Sequence, residues 1–192
     1  MAPHVWNLRS GRAFRVLRHA LCSARRQSDL RVVHHSVQGN HVHLLAEARA
    51  KDAMLRGVRG LLVRIARGLN SMMQRGGRVF ADRYHLRVLG SPTEVKNALR
   101  YVLCNARHHA SERGERLAPT WVDPFSSAAL FGGWKRGPPP RALVESLVLR
   151  RRCDRNTALG DEVSPAGTWL LRIGWQRAGR IDLDATPGRV PA

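Results

Sequence analysis

Residues 29–48 read DLRVVHHSVQGNHVHLLAEA, and the rest of the chain is arranged around how that stretch folds. Two apolar-rich runs, 31–38 and 41–48, flank Gly39-Asn40, a pair whose backbone tolerates the positive φ of a tight hairpin turn. Side chains alternate across a strand, so His41 and His43 share one face while Val42 and Leu44 take the other. A two-residue turn pairs Gln38 with His41, Val37 with Val42 and Ser36 with His43. His34, Ser36 and Gln38 then join the histidine pair on a polar face, opposite Val33, Val37, Val42 and Leu44. The apolar face is expected to be core and the polar face a site.

Two imidazoles one strand-pitch apart can aim their ring nitrogens at one point, which suits a divalent cation. His-x-His also arises by chance in a chain with nine histidines, so the motif needs a second feature beside it. The helix that contains Tyr101 supplies one.

The chain of 192 residues is long enough to bury a real core in one domain with an appendage. Its formal net charge is +19, carried almost wholly by arginine, since Lys51, Lys96 and Lys135 are the only lysines. The planar guanidinium fork matches phosphate oxygens, so the charge points to DNA or RNA. A GC-rich genome would explain arginine in place of lysine but not the surplus of positive charge. Three cysteines, Cys22, Cys104 and Cys153, have no C-x-x-C spacing, which argues against a disulfide scaffold or zinc ribbon. No apolar run reaches membrane-spanning length and no signal-peptide core leads the chain, so a cytoplasmic, nucleoid-associated protein is expected.

Ser10 is placed to cap a helix running to about Arg26, with Phe14, Leu17, Ala20, Leu21 and Ala24 on one face. After the hairpin, Asp52 reads as the N-cap of a helix to about Arg75. Its Met54, Leu55, Val58, Leu61, Leu62, Ile65, Leu69 and Met72 share one arc, with Arg56, Arg59, Arg64 and Arg67 on the other. Such a face is either simply solvated or tracks phosphates. Gly76-Gly77 ends the helix, and a strand is expected from about Tyr84 to Leu89. Ser91-Pro92-Thr93-Glu94 is a capping box with proline at the first helical position. The helix it starts extends to about Glu112 and sets Tyr101 and Asn105 one turn apart, with His108 nearby. Residues 114–192 read as an irregular basic C-terminal extension beyond a domain at 1–113. Pro119–Pro140 is loop-like, Arg141–Arg155 suits a short basic helix, and 168–176 (TWLLRIGWQ) suits an apolar strand or docking segment. Trp121, Trp134, Trp169 and Trp175 are its expected anchors.

Taken in order, VQGNHVHLL (37–45), FADRYH (80–85) and RYVLCNARHH (100–109) resemble the single-tyrosine HUH transposases of bacterial insertion sequences, above all the REP-associated tyrosine transposases. The likeness covers roughly residues 1–113. It implies an α+β fold of ferredoxin-like (RRM-like) type, an antiparallel sheet with packed helices. It also implies that His41 and His43 are metal ligands, that Asn105 completes the site around Mg²⁺ or Mn²⁺, and that Tyr101 is the nucleophile. The implied reaction cleaves and rejoins single-stranded or hairpin DNA through a 5′-phosphotyrosine intermediate, freeing a 3′-hydroxyl. Arg56, Arg59, Arg64, Arg67, Arg83, Tyr84 and His108 are then the candidate DNA contacts, with a homodimer as the candidate assembly.

The chain departs from that family in one respect: members normally begin with a hydrophobic strand of the HVTLR kind ahead of the segment matching Pro3–Phe14. Without that strand, an unpaired sheet edge or an incomplete core is expected. The alternative to an active enzyme is therefore a catalytically inactive DNA- or RNA-binding remnant of the same fold. Some branches carry glutamine where Asn105 stands, and the shorter side chain is expected to weaken metal binding. A basic RNA- or ribosome-associated protein unrelated to these enzymes is the third reading, and burial of the histidines away from Tyr101 would favour it.

Overall fold

The computed structural model describes residues 5–27, 29–137, 139 and 160–186. The expected basic helix at 141–155, Cys153 and the last six residues lie outside the described residues. Ser10 opens α1 (Gly11–Gln27) with its hydroxyl accepting from the Ala13 N–H at 3.2 Å. The hairpin follows as β1 (Arg31–Val37) and β2 (Val42–Glu47), then α2 (Lys51–Met72) and α3 (Pro92–Glu112). Short helical turns at Ser127–Leu130 and Gly174–Ala178, and a one-turn α4 (Trp169–Arg172), follow among the described residues. The molecule is α+β, built on an antiparallel two-stranded sheet.

Register is as the turn predicts: Val37 pairs with Val42, Ser36 with His43, and the Gln38 N–H donates to the His41 carbonyl at 2.8 Å. The turn closes without positive φ at Gly39 or Asn40. A hydrogen bond from the Leu8 N–H to the Gly39 carbonyl, 2.9 Å, ties it to the N-terminal segment. The facing of Val33 is corrected by a register shift between Val32 and His34. This bulge adds a residue to one strand, so Val32 rather than Val33 joins Val37, Val42, Leu44 and Ala46 on one face.

Both faces of the sheet are covered. On the Val37 face, α1 and α2 build a core from Phe14, Leu17, Leu21, Val58, Leu61 and Ile65. A β-carbon at Gly68 of α2 would lie 2.5 Å from Val16 Cγ1 of α1, so glycine there permits the close approach of the two helices. On the other face α3 lies over Leu45, and a second core gathers Leu99, Val102, Leu103, Val122, Trp134 and Trp175. The segments after residue 114 thus supply part of the packing that holds α3. Trp134 and Trp175 are buried there, whereas Trp169, an expected anchor, is half exposed with the Arg177 guanidinium 4.9 Å from its ring centre. The 168–176 stretch packs on α3 as helical turns rather than a strand.

Three further local expectations are corrected. The N-cap of α2 is Ala50, with Asp52 inside the first turn, and the helix ends at Met72 rather than Arg75. The capping box of α3 forms as expected. No strand forms at 84–89: Leu86 is 50 % and Val88 81 % exposed. Strand propensity needs a neighbouring ladder within hydrogen-bonding reach. Residues 125, 126 and 164 bond to β1, whereas the other edge of the sheet, at Leu44–Ala48, faces Leu86–Leu89 across an apolar groove of about 620 Å³. Among the described residues, no helix is long and apolar enough to cross a membrane.

Candidate active site

The polar face of the hairpin presents His41 and His43 to α3. Their Nε2 atoms lie 3.0 Å apart. The His41 Nδ1–H donates to the Asn40 side-chain oxygen at 2.7 Å, which leaves its Nε2 with the lone pair. The His43 ring meets the Tyr101 ring edge-to-face at 4.9 Å between centroids. The β-hairpin and the helix therefore meet through His43 and Tyr101.

Burial pushes the His43 imidazole pKa down to about 4, and the nearby His41 and His109 push the same way. Burial, then His109, lowers His41 as well. Both shifts favour the neutral ring, the form that donates a lone pair to a cation. Asn105, one turn beyond Tyr101, is 1 % exposed, and among the described residues neither its Oδ1 nor its Nδ2 has a hydrogen-bond partner. A buried amide left in that state costs on the order of 1–3 kcal/mol, a cost that a ligand on its oxygen would offset.

These residues fit a small hard cation. Two cis ligands at about 2.1 Å from an octahedral ion are about 3 Å apart, the separation of the two Nε2 atoms. Among the described residues no cluster of three or more His, Cys, Asp or Glu side chains could hold a metal. Any ion here would therefore rest on the two imidazoles, with water or phosphate filling the rest.

His109 extends the stripe Tyr101, Asn105, His109 along α3; the sequence suggests for it, as for His108, no more than a solvent-facing or phosphate-contacting place. The repeated four-residue step was the signal that could have found it. Its Nδ1 lies 2.9 Å from Glu112, and it lines with His41, Gln38, Arg9, Arg113 and Trp121 a cleft of about 470 Å³. His108 is half-buried and pairs with the other Glu112 oxygen at 3.3 Å. Arg107 is buried and donates to the carbonyls of residues 117, 118, 119 and 121, which fixes the loop carrying Trp121.

The expected DNA-contacting residues are not gathered at this site. Arg56, Arg59, Arg64 and Arg67 belong to α2, across the sheet from the histidine pair. Arg83 and Tyr84 are exposed on the stretch leading to the groove at the Leu44–Ala48 end of β2. Among the described residues cysteine chemistry is not offered: Cys22 and Cys104 are buried, and burial pushes the Cys104 thiol up to about 12. Compared with known proteins, the chain matches no family model, no curated sequence and no solved structure.

Proposed function

We propose that the protein is a metal-dependent single-tyrosine nuclease and strand transferase acting on single-stranded or hairpin DNA, of the HUH transposase type. The observation that carries the reading is the contact between the paired His41 and His43 rings and the Tyr101 ring; the buried Asn105 amide, unpartnered among the described residues, sits one turn further along α3. Each comes from a sequence element that the resemblance had singled out separately.

In this reading Tyr101 Oη attacks the scissile phosphorus and forms the 5′-phosphotyrosine as the bond to the 3′-oxygen breaks. His41 and His43, with Asn105, would hold Mg²⁺ or Mn²⁺, which when bound would offset charge on the phosphate oxygens. Edge-to-face contact with His43 keeps the Tyr101 ring from swinging away. Packing of α3 between the sheet and the later segments fixes the helix that carries the nucleophile. The arginine surplus supplies sequence-independent attraction to the strand.

A hairpin-bearing oligonucleotide with Mn²⁺ tests this. Cleavage is expected with a covalent protein–DNA adduct that survives denaturation and is lost in Tyr101→Phe. Salt-sensitive binding with neither cleavage nor adduct would replace it with the second reading, an inactive nucleic-acid-binding remnant. The open groove beside β2 is the observation that favours that second reading.

A further inference from the structure

We propose that His109 is the general acid of the cleavage step, protonating the 3′-oxygen as it leaves phosphorus and recovering the proton when the strand is rejoined; this rests on the nuclease reading above. Four observations converge on it. His109 stands two turns beyond Tyr101 on one stripe of α3, about 12 Å along the axis. Asn105 therefore lies between Tyr101 and His109 along the helix. The ring lines the same cleft as His41, and its charge reaches both His41 and His43. Glu112 accepts from Nδ1–H at 2.9 Å, which leaves Nε2 as the atom that gains and gives up the proton, carrying it in the imidazolium form. The ring is partly exposed, its side chain 38 % accessible, so a DNA strand in the cleft can reach it.

Other groups at the cleft are unsuited. Arg113 pairs with Glu115 at 2.7 Å, and a guanidinium does not release its proton. Arg9 is held by Asp123 and by the Val37 carbonyl. The step balances without a co-reactant. The Tyr101 Oη–P bond forms as the P–O3′ bond breaks, the phenolic proton passes to water, and the Nε2 proton of His109 moves to O3′. Rejoining reverses each transfer, with neutral His109 taking the proton from the attacking 3′-hydroxyl.

The test is a leaving group that needs no proton. An oligonucleotide with sulfur in place of the bridging 3′-oxygen departs as a thiolate, whereas the ordinary linkage must leave as an alkoxide or be protonated. His109→Ala is expected to slow adduct formation on the oxygen linkage by roughly 10²–10⁴-fold and to run within a few-fold of wild type on the sulfur linkage. Glu112→Gln should show a smaller loss with the same relief, as befits a positioning residue. Rescue on sulfur also certifies that the variant is folded. Equal impairment on both linkages, or no impairment on oxygen, would overturn the proposal while leaving the Tyr101 adduct and the nuclease reading intact. Absence of any wild-type adduct on either linkage would sink both.

Discussion

Asn105 shows how a single side chain can be costly to the fold and useful to the site. Its amide is fully enclosed with both polar atoms unpartnered among the described residues, so Asn105→Leu, similar in volume, should raise the melting temperature by a few degrees. The same change is expected to weaken Mn²⁺ binding, and a titration followed by electron paramagnetic resonance would register that loss independently of DNA. Unchanged metal affinity would remove Asn105 from the site. His34 gives a second residue-scale prediction. It is held against Ser127 and Phe131, and burial pushes it down to about 4. The unfolded chain then binds the extra proton between about pH 6.5 and 4, so stability falls as pH drops through that window. Thermal melts should show this acid loss blunted in His34→Gln. The histidine pair and Tyr101 were legible in the sequence because strand and helix periods dictate their facing. His109 was not, since its role is visible only once α3 is laid over the hairpin.

Among the elements, α3 and the 84–89 stretch mark the two ends of what local sequence can specify. The capping box at Ser91 and Glu94 forms from residues within one turn of each other, and the helix begins where the sequence says. Ser91→Ala should cost about 1 kcal/mol, seen as a lowered urea midpoint. At 84–89 the residue pattern suits a strand equally well, but a strand is a relation between two segments. The edge it could join lies across an apolar groove. The Val33 bulge belongs to the same class: nothing within β1 announces it, and it arises where the strand must match β2 while its flank bonds to Ser164. Asp52 failed as a cap because the helix starts at Lys51, with Ala50 in the N-cap position two residues before Asp52.

For the molecule as a whole, ties between distant parts of the chain carry the architecture. Arg18 of α1 and Glu162 are both buried and paired at 3.2 Å. Breaking such a pair from one side leaves an isolated buried charge, so Arg18→Met is expected to destabilise by about 3–5 kcal/mol, with part of the loss restored by adding Glu162→Leu. Denaturant curves of the two single variants and the double variant measure it. Trp134, fully buried against Phe131 and α3, should cost a similar amount on truncation to alanine. The tryptophans at 134 and 175 press α3 onto the hairpin from behind. A chain halted at residue 114 would still spell out both histidines, the tyrosine and the asparagine. It would nonetheless lose the backing that keeps phenol and imidazoles in register, leaving an inventory of reactive groups with no shared cavity.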